Sequence, residues 1–65
     1  MKRYYVNTKN YDHEVHHEDC TYLPLAANRK YLGVFSNCAA AVIEAKKTYS
    51  NADGCYYCSN ECHTS

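Results

Sequence analysis

Two short β-prone runs, one apolar stripe at helical spacing and two separated clusters of cysteine and histidine predict an α+β fold. The expected architecture is a small antiparallel sheet with one helix across it, stapled by a metal ion. The 65 residues form one expected domain, 1–65, at a size where a hydrophobic core rarely secures the fold by itself. Leucine, isoleucine, valine and phenylalanine are few, and much of the apolar content is alanine, five cysteines and eight tyrosines. Buried tyrosine hydroxyls need water or a hydrogen-bond partner, so the core is thin and a staple is required.

Tyr4-Tyr5-Val6 suits a first strand, followed by a turn over the polar stretch Asn7 to Asp12. His13 to Cys20 is charged and rich in histidine, without the apolar spacing of a helix face, and reads as a loop. Pro24 biases Leu23 toward extended geometry, and Ala26 to Lys30 reads as a connector. Tyr31-Leu32-Gly33-Val34-Phe35 is the best strand candidate, with Gly33 a bulge or close-packing point. Ser36 is the expected N-cap of a helix from Asn37 to about Tyr49, although no Glu or Gln completes a capping box. Cys38, Ala41, Val42, Ala45 and Tyr49 form one stripe of a 3.6-residue period, which assigns Cys38 to the core. Asn51-Ala52-Asp53-Gly54 turns the chain into its last cysteine pair, and Ser59 to Ser65 is a polar tail carrying Cys62 and His63.

Seven basic and seven acidic side chains give a formal charge of zero, so no bulk field draws the chain to nucleic acid or anionic lipid. Tyr56 and Tyr57 stand where a base can stack, but the basic residues are spread out among acids, and nucleic acid is not indicated as a partner. Another protein is the other partner class, and the sequence does not choose between them. Met1-Lys2-Arg3 is followed by tyrosine, asparagine and charge rather than by the apolar core of a signal peptide, and no stretch is long and apolar enough to span a bilayer. The expected address is cytoplasmic.

His16-x3-Cys20 and Cys55-x2-Cys58 together supply one imidazole and three thiolates, a Cys3His set that fills all four positions of tetrahedral zinc. The expected ligands of Zn2+ are therefore His16, Cys20, Cys55 and Cys58, with His17 the alternative to His16. Cys62 and His63 lie near enough to the Cys-x2-Cys knuckle to join it, or belong only to the tail. A disulfide scaffold is the competing reading, and an odd cysteine count and a reducing cytosol weigh against it. His13-Glu14-Val15-His16-His17 also satisfies H-E-x-x-H, in which two histidines one helical turn apart hold a catalytic zinc. That motif needs a helix, a third ligand and a substrate cleft, and this segment has little helical support; His13 and Glu14 are expected to be solvated loop residues.

His16-x3-Cys20, Tyr22-Leu23-Pro24, the strand into Phe35-Ser36, the helix containing Ala41 and Ala45, and Gly54-Cys55-x2-Cys58 resemble the small zinc-binding module of the Ada type. In that family the module stands at the N-terminus of a bacterial DNA alkylation-repair methyltransferase, or is appended to nuclease-related and competence-related proteins. The resemblance covers Val6 to Cys58 and implies the same four ligands. The methyltransferase form has cysteine at the position matching His16, and one of its zinc-bound thiolates accepts a methyl group from a DNA phosphotriester. Imidazole in place of a thiolate lowers the negative charge of the site and the nucleophilicity of its sulfurs. The expected function is therefore a stand-alone structural zinc module acting in binding or regulation rather than catalysis. The alternatives are a zinc-thiolate alkyl acceptor, a thiol-redox protein using Cys55 and Cys58, and a metal-free disulfide-held domain. The closing Cys62-His63-Thr64-Ser65 has no counterpart in the resemblance.

Overall fold

The computed structural model describes residues 1–9 and 13–63. Strand β1 (Lys2–Asn7) buries Tyr4 and Val6 on one face and leaves Arg3 exposed and Tyr5 half-buried on the other, the period-2 pattern of a sheet covered on one side. It lies at the centre of the sheet. β2 (Glu14–His17) pairs with it antiparallel, Tyr5 opposite His16 and Val6 opposite Val15, and β3 (Arg29–Phe35) pairs antiparallel along its other edge. The register between β1 and β3 shifts at Tyr4/Tyr5, and Gly33 in β3 takes φ 126°, a bulge conformation closed to most side chains. A 3-10 turn, Ala26–Asn28, leads into β3 where a connector was expected.

Two expectations change here. The segment from His13 is not a loop throughout, because Glu14–His17 is a strand whose Val15 is fully buried against the helix. The sheet is also mixed rather than wholly antiparallel. Asp53–Gly54, expected as part of a turn, forms β4 and pairs parallel with β2, giving the order β3-β1-β2-β4. Parallel pairing follows from the crossover, since β3 and the helix carry the chain back before it rejoins the sheet. Of the turn expected over Asn7 to Asp12, the carboxamide oxygen of Asn7 accepts the Lys9 N–H at 2.8 Å; Asn10, Tyr11 and Asp12 lie outside the described residues.

The helix α1 (Cys38–Lys46) is shorter than the periodicity suggested, and its N-cap is Asn37 rather than Ser36. The Asn37 Oδ1 accepts the Ala40 N–H at 3.0 Å, satisfying one of the donors that a helix start leaves free. Cys38, Ala41, Val42 and Ala45 are buried, as the stripe predicted, and they pack with Tyr4, Val6, Val15 and Ala52. Leu32, Phe35 and Tyr49 close the rim of this cluster. No helix among the described residues is long and apolar enough to cross a membrane.

Cys38 does more than fill the core. It is bonded to Cys62, 24 residues on, with a Cα–Cα separation of 6.2 Å. The tail expected after Ser59 is therefore a 3-10 turn, Asn60–Cys62, tied to the start of α1. A Cβ on Gly54 would lie 2.7 Å from the Cys62 Cβ and from the Ser59 carbonyl oxygen, so only glycine lets the tied segment sit this close to β4. The bond goes against the expectation that the odd cysteine count and a reducing cytosol disfavour disulfides in this chain.

Candidate metal centre

The sheet itself assembles the site. Alternation along β2 turns His16 to the face opposite Val15 and His17, and the parallel bridge Val15 to Gly54 sets Cys55 beside it. The Cys55 N–H donates to the Val15 carbonyl at 3.0 Å, one bond beyond β4 proper. Cys20 returns on a turn after β2: its N–H donates to the His17 carbonyl at 3.0 Å. That turn is anchored to β1 by Glu18, whose N–H donates to the Arg3 carbonyl at 2.9 Å while its carboxylate accepts the Arg3 N–H at 3.0 Å. Cys58 is placed by the knuckle, closed by the Ser59 N–H donating to the Cys55 carbonyl at 2.9 Å. The two ligand-bearing loops meet in a stack of Tyr22 on Tyr57, with ring centroids 4.3 Å apart.

One donor atom from each of His16, Cys20, Cys55 and Cys58 lies within 4.8 Å of every other, and the group could hold a metal ion. His16 Nδ1 is 3.5 Å from the Cys20 sulfur and 3.9 Å from the Cys58 sulfur, and the Cys20 and Cys55 sulfurs are 3.9 Å apart. A tetrahedron built on usual zinc bond lengths has edges of about 3.6 Å between nitrogen and sulfur and about 3.8 Å between sulfurs. These three separations stand at coordination spacing, and the other donor pairs lie within 4.8 Å. Disulfide bonding would require sulfurs about 2 Å apart.

The electrostatics point the same way. Burial, then the charge of His17, pushes the His16 pKa below its ordinary value, which favours the neutral imidazole that ligates metals. Burial drives the Cys20 thiol up to about 12 and raises that of Cys55, with neighbouring thiols adding to both. Backbone donors oppose the rise: the Tyr22 N–H points at the Cys20 sulfur at 3.4 Å, and the N–H groups of Cys58 and Tyr57 act on Cys55. Amides aimed at sulfur stabilise thiolates, and they stop short of ionising these two without a cation. His16 Nε2 is buried without a hydrogen-bond partner, so the ring's polar anchorage comes through Nδ1, the nitrogen that faces the sulfurs.

H-E-x-x-H fails on geometry. In a helix its histidines are one turn apart, but along an extended chain four residues span about 13 Å. His13, with φ 46°, stacks on Tyr49 at 4.1 Å and places its Nδ1 2.8 Å from the Asn7 carbonyl oxygen; His17 meets Tyr4 edge-on at 6.4 Å. His13 is thus packed rather than solvated, and Glu14 is a half-buried strand residue. His17 does not replace His16, because it faces the other side of β2. The expected result for His13→Ala and for His17→Ala is metal affinity near that of the parent, whereas His16→Ala abolishes binding. Histidine side-chain NMR of the loaded protein checks this, and a metal-shifted His13 or His17 resonance contradicts it.

Cys62 and His63 stay out of the cluster. Cys62 is in the disulfide, and His63 holds its Nδ1 3.0 Å from the Gly54 carbonyl oxygen and 3.7 Å from the Asp53 carboxylate. The Cys38–Cys62 pair was legible in one respect: a Cys3His site consumes three of five cysteines and leaves two, so the odd count never argued against a bond. No protein-family model, curated protein or solved structure matches this chain.

Proposed function

We propose that the chain is a zinc-held module of the Ada type whose task is binding or regulation through another protein. The observation that carries the metal reading is the convergence of four donors, three of them cysteines, within 4.8 Å of one another. Three thiolates and one imidazole select zinc among common divalent ions, and a set that fills all four positions is a closed, structural one. His16, Cys20, Cys55 and Cys58 hold the ion, which supplies cross-linking of β2, its following turn and the knuckle. The high thiol pKa values of Cys20 and Cys55 weigh against a metal-free thiol-redox protein, since protonated thiols are poor nucleophiles. The binding role draws support from the exposed aromatic side chains Tyr22, Tyr31, Tyr56 and Tyr57, a residue type enriched where proteins meet.

Elemental analysis of protein purified without chelator is expected to find one zinc per chain. Zinc uptake by the metal-free protein near neutral pH displaces at least the protons of Cys20 and Cys55, because both thiols titrate above their ordinary value. Calorimetry in buffers of differing ionisation enthalpy reads that release. A protein that binds no zinc, or takes it up without losing protons, ends the reading.

A further inference from the structure

We propose that Cys58 is an oxidation site, a ligand of the metal centre whose thiolate attacks a hydroperoxide, so that the centre opens. The inference rests on the zinc reading, because the metal keeps the three sulfurs as thiolates. The three are not equally accessible. Cys20 and Cys55 are 8% and 1% exposed, and backbone N–H groups already engage their sulfurs. Cys58 is only half-buried, and its sulfur has the Ser59 hydroxyl at 3.8 Å and His16 Nδ1 at 3.9 Å.

Cys58 also lines a cleft of about 400 Å³, into which neither Cys20 nor Cys55 opens. The same cleft is lined by Lys2, His17, Asn37 at the start of α1, Tyr57 and Glu61. Lys2 brings an ammonium to it, only loosely paired to exposed Asp19 at 3.8 Å. His17 Nδ1 accepts the Asp19 N–H at 3.1 Å, so Nε2 is the protonated nitrogen of a ring on the cleft wall. These donors, with the helix N-terminus, suit a leaving oxygen that develops negative charge, and among the described residues Glu61 is the opposing carboxylate on the wall.

The Cys58 thiolate attacks one peroxide oxygen: a sulfur–oxygen bond forms, the oxygen–oxygen bond breaks, and the leaving alkoxide takes a proton to become the alcohol, or water from hydrogen peroxide. Sulfur loses two electrons and the peroxide gains them. The sulfenic acid then meets a second thiolate, Cys20 or Cys55, each with its sulfur within 4.8 Å. The sulfur–sulfur bond forms as hydroxide leaves and takes a proton to become water. Two of four donors are consumed, and the remaining imidazole and thiolate no longer enclose the ion.

The test treats zinc-loaded wild-type protein, its Cys38–Cys62 bond intact, with limiting hydrogen peroxide. Dimedone traps sulfenic acid for peptide mapping, and a metallochromic dye follows free zinc. The expected result is dimedone on Cys58, and, without dimedone, a new disulfide from Cys58 to Cys20 or Cys55 with loss of the zinc and Cys38–Cys62 unchanged. First labelling on Cys20 or Cys55, equal labelling of all three, or zinc retained after the new disulfide forms overturns the proposal. Elemental analysis of the untreated sample separates the two readings: no zinc there ends the metal reading, and zinc present with Cys58 unlabelled ends this one alone.

Discussion

Stripping zinc from the loaded protein with a chelator is expected to unfold the domain. Of the largest fully buried side chains, His16, Val6, Val15 and Cys55, two belong to the donor cluster, so loss of an ion held there would remove the interior's organising contacts. What remains is mostly alanine and valine against Tyr4, an apolar burial too small to offset the chain entropy of a domain this size. Zinc sites in small peptides contribute about 10–16 kcal/mol of apparent binding energy near neutral pH, comparable to the whole net stability of a typical domain. His16 Nε2 is buried without a hydrogen-bond partner whether or not the ion is present, so metal removal leaves the buried ring held only by the contacts of Nδ1 with the neighbouring sulfurs. Amide NMR during a chelator titration reads the outcome, and a dispersed spectrum after complete metal removal defeats it.

Breaking the Cys38–Cys62 bond has the second large effect. For a closed loop of this length, 24 residues apart in sequence, chain-entropy estimates give about 3.5 kcal/mol. Had Cys38 been only a small core residue, its loss would cost about 1–2 kcal/mol and a Cys62 substitution almost nothing. The double variant Cys38→Ser/Cys62→Ser therefore unfolds at markedly lower denaturant concentration than the parent while still taking up one zinc, because neither sulfur belongs to the donor cluster. Reductant lowers the parent to the level of the variant and leaves the variant unchanged. Equal midpoints for parent and variant under non-reducing conditions would show that the bond does not hold the fold.

The candidate site was legible because ligand chemistry is local: His16-x3-Cys20 and Cys55-x2-Cys58 each carry two donor residues within a few positions of one another. The inner face of α1 was legible for a similar reason, since Cys38, Ala41, Val42 and Ala45 share a stripe through helical geometry alone. The strand at Glu14–His17 was not, because its charged and histidine-rich sequence shows no clear alternation until Val15 and His16 are seen to be buried on opposite faces for different purposes, one against the helix and one in the donor cluster.

By itself, then, the sequence determined the α+β class, the helix stripe and the two donor pairs, with His17 still open as the alternative to His16; the stripe and each pair depend on residues within a few positions of one another. The tertiary structure decided which histidine joins the cluster, that Asp53–Gly54 pairs parallel to β2, and that Cys38 and Cys62 are bonded. Each of these joins segments far apart in the chain. Closing such loops costs entropy that grows only slowly with their length, so separation along the sequence neither forbids nor selects a pairing. The selection is made by packing: Gly54 admits the Cys62 backbone at close range, and the Val15 to Gly54 bridge sets Cys55 beside His16.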